Sequence, residues 1–236
     1  TRMLSLHAHN ERRRGAEIVS LLGAGKSVAL VSDAGTPAVS DPGAALVEAV
    51  ARAGYAVVPV PGPSAVIAAL SASGITAPQW LFCGFLPAAA TARRAALTRL
   101  SDYPGALIFY EAPHRIAAAL DALGAVLGRE RGLVIARELT KRFETIHRCL
   151  LGEAPAWLAA DPDRARGEFV LIVAPGAAMR SGDNSDAHDR MLGTLLAELP
   201  VAQAVRLAVK LTGAPRNRLY ERALALSKPT AVETNA

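Results

Sequence analysis

A chain of 236 residues, 51% hydrophobic and 20% charged, has the apolar material for one large domain or two modest ones. No run approaches the ~20 apolar residues of a membrane span, and no basic-then-apolar signal opens the chain, so a cytoplasmic protein is expected. The net charge of +5 is uneven: residues 201–228 carry Arg206, Lys210, Arg216, Arg218, Arg222 and Lys228 against Glu221 alone, an asymmetry that points to a polyanionic partner.

The chain opens at Thr1 with Met3, Leu4 and Leu6 alternating, which reads as a fragment or a processed product. Helical spacing follows over residues 11–22, then an apolar run, Val28–Val31, that reads as a buried strand. A helix is predicted over 44–53, stopped by Gly54, and a second strand over 56–60, turned by Pro61-Gly62-Pro63 into a helix with Ser64 as its N-cap. This alternation predicts a mostly parallel sheet with helices on its faces. A second set begins near Trp80, with strands at 80–86, 106–110, 132–136, 144–150 and 168–174 and helices at 91–101, 114–127 and 153–160. Residues 176–188, poor in large apolar side chains, read as a linker. Three short helices then follow, with Thr212-Gly213-Ala214-Pro215 as a tight stop, in the manner of a helix-turn-helix module. The division is therefore 1–78, 79–175, a linker, 189–228 and a tail over 229–236.

The segment Ser32–Gly43 leaves the carboxyl end of the first apolar run, where open α/β sheets bind ligands. Its small residues let backbone approach a ligand, and Asp33 and Thr36 add polar reach. It lacks a phosphate-cradling lysine, which disfavours an NTPase, and on spacing alone a plain turn is the commoner reading. The Pro61–Ala65 loop is placed alike. Two polar clusters follow later strands: Glu111, His114 and Arg115, with Glu111 able to pair with Arg115 and His114 to cap a helix, and Arg137–Glu144, which holds Glu138 and Lys141. His7 and His9 share one side of an extended segment, but no further ligand cluster supports a metal. Cys83 and Cys149 lie far apart in apolar runs, as buried free thiols do.

Taken in order, Leu30-Val31-Ser32-Asp33-Ala34-Gly35-Thr36-Pro37, Pro61-Gly62-Pro63, Gly84-Phe85-Leu86-Pro87, Ile108–Glu111 with Pro113-His114-Arg115, Ala136–Lys141 and Gly167–Val173 resemble the ribosomal RNA small subunit methyltransferase I family of the tetrapyrrole-methylase superfamily. The resemblance spans about residues 1–227. It implies two α/β domains with S-adenosylmethionine in the cleft between them, a small C-terminal helical module, a homodimer, and methyl transfer to the ribose 2′-hydroxyl of a cytidine in the decoding region of 16S ribosomal RNA. It places cofactor contacts at Ser32, Asp33, Ala34, Gly35, Thr36, Pro37, Pro61, Ser64, Ala65, Tyr110 and Leu139. Contacts with small-subunit RNA fall to Arg206, Lys210, Arg216, Arg218 and Arg222, and no metal is expected.

Two departures stand out. The pattern begins with a strand and a Thr-Pro-Ile-Gly-Asn-like cofactor loop that this sequence lacks, an expected absence of roughly 60 residues, about two βα units. The usual His-Asp-His-Asn-Glu-like run reads His7-Ala8-His9-Asn10-Glu11. A ribose hydroxyl is a poor nucleophile, so a base or polarising cation is expected among Glu111, Glu138, Lys141 and His114, the first three foremost. The alternatives are a tetrapyrrole or diphthine methyltransferase of the same fold, which the basic C-terminal helices disfavour, and a non-catalytic RNA-binding or assembly protein.

Overall fold

The computed structural model describes residues 2–33, 35–176 and 185–227, and the chain divides into two compact units, 1–176 and 177–236. The first contains α1 (Glu11–Gly23), α2 (Ala44–Arg52), α3 (Ala65–Ser73), β1 (Trp80–Phe85), α4 (Ala90–Leu100), β2 (Ala106–Glu111), α5 (Ile116–Leu127), β3 (Gly132–Arg137), β4 (Thr145–Leu150), α6 (Ala154–Ala159), a 3-10 turn (Pro162–Ala165) and β5 (Phe169–Val173).

The strands form one sheet in the order β1-β2-β5-β3-β4. β1 and β2 are parallel, joined by the crossover helix α4 that parallel pairing requires. The other pairings are antiparallel. β3 returns as β4 through residues 138–144, and β5, last in the chain, inserts between β2 and β3. The side-chain period of two sorts the core. Leu107, Phe109, Leu133, Ile135 and Leu171 meet α4 and α5 through Leu97, Ile116, Leu120 and Leu123 on one face. On the other, Ile108, Val134, Ala136, Val170 and Ile172 meet Val66 and Ala69 of α3. Each such large apolar side chain contributes about 1.5–3 kcal/mol by leaving water. α3 is held at its far end by β4, where Arg148 Nε donates to Ser73 O at 2.9 Å and its Nη2 to Ala72 O, placing a cation on the negative end of the helix.

Three expectations need correction. The sheet is mainly antiparallel, because β4 follows β3 by a short return and β5 runs against both of its neighbours. The predicted strands at 28–31 and 56–60 have no regular secondary structure and join no ladder. Val31 is 84% exposed, Val58 78% and Val60 87%, and neither segment makes a backbone–backbone hydrogen bond among the described residues. A run of valines reports β-prone backbone, whereas a strand also needs a partner edge, which is non-local information. Ser64 occupies the N-cap position of α3, but its side chain makes no capping hydrogen bond. We expect amide exchange at 28–31 and 56–60 to be close to unprotected and exchange in β2 and β5 to be slowest, as measured by mass spectrometry; protection at 56–60 equal to that of β2 would contradict the unpaired state.

In the second unit, α7 (Ser185–Glu198), α8 (Val201–Thr212) and α9 (Arg216–Ser227) enclose Leu192, Val205, Ala208, Leu219 and Ala223. α8 stops at Gly213, whose φ of 67° is the left-handed conformation glycine adopts without strain. α7 begins at Ser185, inside the stretch read as linker; small polar residues suit loops and first helical turns alike. Residues 177–184, most of that stretch, and 228–236, with Lys228 and the tail, lie outside the described residues. No helix among the described residues is long and apolar enough to cross a membrane.

Candidate active site

The two Gly/Pro loops of the first 78 residues touch each other. Thr36 Oγ1 donates to Pro63 O at 2.8 Å, and a Cβ added at Gly35 would lie 2.6 Å from that same oxygen. Gly35 has φ 89°, so both its backbone conformation and its closeness to Pro63 demand glycine. The Ser32 hydroxyl donates to the Asp41 carboxylate across the loop. Ala38 and Ser40 have φ of 65° and 56°, left-handed conformations costly for non-glycine residues, which cluster at functional loops. The far end is pinned by Glu11, whose Oε1 accepts the N–H groups of Gly43, Ala45 and Leu46 at 2.9, 2.8 and 3.2 Å and so caps α2 from the start of α1. Asn10 is buried, with its side chain bonded to His7 N and Ser5 O. The Asn10-Glu11 half of the histidine-bearing run is thus structural, while His7 and His9 are exposed, their rings edge to face at 6.1 Å.

The loop over 32–43 also reaches β1: a Cβ at Gly84 would lie 3.7 Å from Ser40 Oγ. Gly84, with φ 67°, sits at a bulge between Phe82 and Phe85 that breaks the β1–β2 register. The bulge turns Phe85 toward Tyr110, so that Phe82 and Phe85 both meet the Tyr110 ring edge-on, at 4.9 and 5.7 Å. Tyr110 in turn packs with Val66 in the first turn of α3; burial raises its phenol above the ordinary value, and the Val66 backbone partly opposes the rise. Ala65, Tyr110 and Leu139 line one apolar cluster. Gly35, Thr36, Ala65, Tyr110 and Leu139 are therefore drawn into one neighbourhood, with Ser64 at its margin. Asp33 and Pro61 are exposed and Pro37 is half-buried nearby; Ala34 lies outside the described residues.

The polar candidates separate. Glu138 (φ 52°) and Thr140 (φ 65°) lie in the bend after β3. Glu138 Oε1 accepts from Lys141 Nζ at 2.8 Å and from Glu168 N at 2.9 Å, and Lys141 Nζ also meets Glu168 Oε2 at 2.8 Å. A Cβ at Gly167 would strike the Glu138 side chain at 2.5 Å, so glycine is required beneath it. The Lys141 hydrogen bond chiefly lowers the Glu138 pKa, and the Glu138 and Glu168 carboxylates raise that of Lys141. Glu138 is thus a weakened base. A lowered carboxylate pKa stabilises the fold above the ordinary carboxylate value, and this is lost as pH falls through the native one; the raised Lys141 value confines the same pair's benefit at the alkaline end. Glu138→Gln is expected to make the acid-side fall of Tm shallower, and a fall as steep as in the parent would show that the pair carries no pH-linked stability.

Glu111 lies elsewhere. Successive strand residues face opposite sides, so Glu111 turns away from the Tyr110 side. Its side chain is fully buried and paired with Arg115, Nε to Oε1 at 3.1 Å. The pairing read from the sequence is present. His114 is exposed and does not cap α5, whose N-cap is Arg115 without a side-chain cap bond. Cys83 and Cys149 are half-buried rather than buried free thiols, each pushed by burial to about 11 and so not thiolates at neutral pH. Glu11, Arg93 and Arg148 went unnoticed in the sequence as organising groups; a glutamate in a first helical turn is a faint signal, and the two arginines left none.

On the second unit, Arg206, Lys210 and Arg216 are exposed. Arg222 is committed to Asp189 of α7, Nε to Oδ1 at 2.9 Å, a bond that lowers the Asp189 pKa. Arg218 is exposed but also has an interaction partner.

This arrangement is an α/β methyltransferase type. The fold is similar to that of the methyltransferase CobJ, with a TM-score of 0.54 at 23% identity over 71% of this chain and 72% of that one. The model for tetrapyrrole (corrin/porphyrin) methylases matches residues 1–155, and that for the RsmI C-terminal HTH domain matches 182–227. Proteins named ribosomal RNA small subunit methyltransferase I are 47% identical in Pseudomonas aeruginosa, over 95% of this chain and 80% of that protein, and 50% identical in Xylella fastidiosa, over 92% and 80%. That of Escherichia coli O157:H7 is 46% identical over 94% and 78%. The chain belongs to the ribosomal RNA small subunit methyltransferase I family, within the tetrapyrrole methylases.

Proposed function

We propose that this protein transfers a methyl group from S-adenosylmethionine to the ribose 2′-hydroxyl of a cytidine in the decoding region of small-subunit ribosomal RNA, acting in the cytoplasm as a homodimer. The observation that carries the reading is the meeting of the Gly35–Thr36 and Pro63–Ala65 loops beside Tyr110, in a chain whose relatives are named for that RNA. In this reading residues 1–78, whose regular elements are α1, α2 and α3, and residues 79–175, which carry the sheet, are two lobes with the cofactor between them.

The residues present fit such a cofactor: the loops offer backbone rather than bulk, Gly35 is sterically obligatory, and an aromatic and a helix N-terminus stand beside them. Ser32, Asp33, Gly35, Thr36, Pro37, Pro61, Ser64, Ala65, Tyr110 and Leu139, with Ala34, would hold it. Bound S-adenosylmethionine supplies an electrophilic methyl group on a sulfonium. The chain's task is then alignment, which is worth about 7–11 kcal/mol of barrier when two reactants are fixed in line. Glu138 accepts a hydrogen bond from the acceptor hydroxyl, and Lys141 holds a neighbouring phosphate. Arg206, Lys210 and Arg216 engage the RNA backbone, joined by Arg218 and Arg222 where their present partners release them.

The test is transfer of labelled methyl groups to small-subunit RNA or particles. A 2′-O-methyl group blocks alkaline cleavage at its nucleotide, so label is expected in an alkali-resistant dinucleotide carrying cytidine. Label on a base, or on an added porphyrinoid instead of RNA, would overturn the proposal.

A further inference from the structure

Three successive backbone carbonyls after β1 are held by two arginines. Arg115 Nη2 donates to Leu86 O, and Arg93 Nη1 donates to Pro87 O at 3.3 Å and to Ala88 O at 3.0 Å. Arg93 is only 8% exposed, and the Glu111 side chain that neutralises Arg115 is fully buried. Glu111 is fastened as well: its Oε1 accepts Ala112 N–H at 2.9 Å, and Arg115 Nη2 lies 3.4 Å from its Oε2. Buried charge is costly unless a specific geometry uses it. Here the geometry fixes a loop that a lone stretch of backbone would leave mobile.

That loop has a defined place. It begins at Phe85, which is 50% exposed, and it runs from the carboxyl end of β1 into α4, beside the carboxyl end of the parallel strand β2. Ligands of α/β sheets gather at such ends. Phe85 packs on Tyr110, which itself packs with Ala65 and Val66 of α3, and its neighbour Gly84 approaches the 32–43 loop. Site and clamp lie on opposite sides of one strand end: Tyr110 faces the site and Glu111 faces the clamp.

We infer that Glu111, Arg115 and Arg93 are positioning residues that lock the Leu86–Ala88 backbone so that Phe85 forms a fixed wall for the acceptor nucleotide. The inference rests on the proposed methyl transfer and gives Glu111 a role other than proton acceptor. Glu111 touches no reacting atom; it acts through Arg115, the loop and Phe85.

The experiment compares the 236-residue protein with Glu111→Gln, Phe85→Ala and the double variant, measuring kcat and KM for small-subunit particles, the pH–rate profile, and S-adenosylmethionine affinity by calorimetry. Glu111→Gln is expected to raise KM roughly tenfold with kcat little changed, about 1.4 kcal/mol of acceptor binding. Cofactor affinity and the shape of the pH profile are expected to stay as in the parent. Phe85→Ala, at a half-exposed position, is expected to raise KM similarly, and the double variant no further, because both remove one wall. Glu111→Asp, which keeps the charge, is expected to recover part of the loss. Loss of the acidic limb of the pH profile in Glu111→Gln would make Glu111 the base and overturn the inference. Additive effects of the two changes, or an equal loss of cofactor affinity, would overturn it too. Should Glu111→Gln fail to fold, Arg93→Lys carries the same comparison with Phe85→Ala. Failure of the parent itself to methylate RNA would strike the proposed function; intact parent activity with an unmoved KM in the variants would strike the clamp alone.

Discussion

Gly35→Leu is expected to abolish S-adenosylmethionine binding while the sheet and its helices stay folded. Two independent constraints act at this position. Its φ of 89° lies where L-residues are strained, at a cost of about 1–2 kcal/mol. A Cβ there would sit 2.6 Å from Pro63 O, a backbone atom that moves only if the whole Pro-Gly-Pro loop moves. Displacing that loop pulls the start of α3 away from Tyr110, so the change spreads through the cofactor neighbourhood. A loss of at least about 3 kcal/mol, a factor of roughly 100 in Kd, is expected by calorimetry. Even Gly35→Ala meets the same carbonyl and is expected to fall between parent and Leu. Thr36→Val, which removes only the 2.8 Å bond to Pro63 O, is expected to cost about 1 kcal/mol. The fold is spared because the larger core cluster lies on the α4 and α5 face of the sheet, opposite α3 and its loop. Unchanged affinity in Gly35→Leu with an unchanged Tm would remove this loop from the cofactor site.

Much of this neighbourhood was legible in the sequence because it is written in local chemistry. Gly35 between Asp33 and Thr36 signals a turn, Pro61-Gly62-Pro63 signals a rigid connection, and Trp80–Phe85 and Phe169–Val173 are short apolar runs of strand length. The helices at 11–23, 65–73, 201–212 and 216–227 follow helical spacing, and two of them stop at glycines in the left-handed conformation, Gly74 and Gly213. What stayed hidden was pairing at a distance. Nothing local in Val28–Val31 or Ala56–Val60 distinguishes a strand from an extended segment without a partner. Nor does Glu11 announce that it will cap a helix 32 residues onward, or Arg148 that it will hold the end of α3. Glu111 was noticed as a carboxylate at a strand end, but strand parity about Tyr110 turns its side chain to the opposite face, and that parity is visible only once the sheet faces are assigned.

The C-terminal helices allow an equally sharp test, with the choice of residues set by the structure. Arg222 is tied to Asp189 and Arg218 has a partner of its own, so replacing them disturbs the module along with any RNA contact. Arg206, Lys210 and Arg216 are exposed and make no ion pair shown among the described residues. Replacing these three by alanine is therefore expected to leave the packing of Leu192, Val205 and Leu219 intact and S-adenosylmethionine binding unchanged. RNA affinity falls, and its dependence on salt flattens. Each phosphate contact releases counterions worth ~0.7–0.9 in the slope of log affinity against log salt, so three contacts lower it by roughly two to three. A solvated helix face with no RNA role gives a slope that does not move. A salt titration on small-subunit RNA that showed the triple variant indistinguishable from the parent would assign these helices to protein packing, and the RNA reading would then depend on the first 176 residues alone.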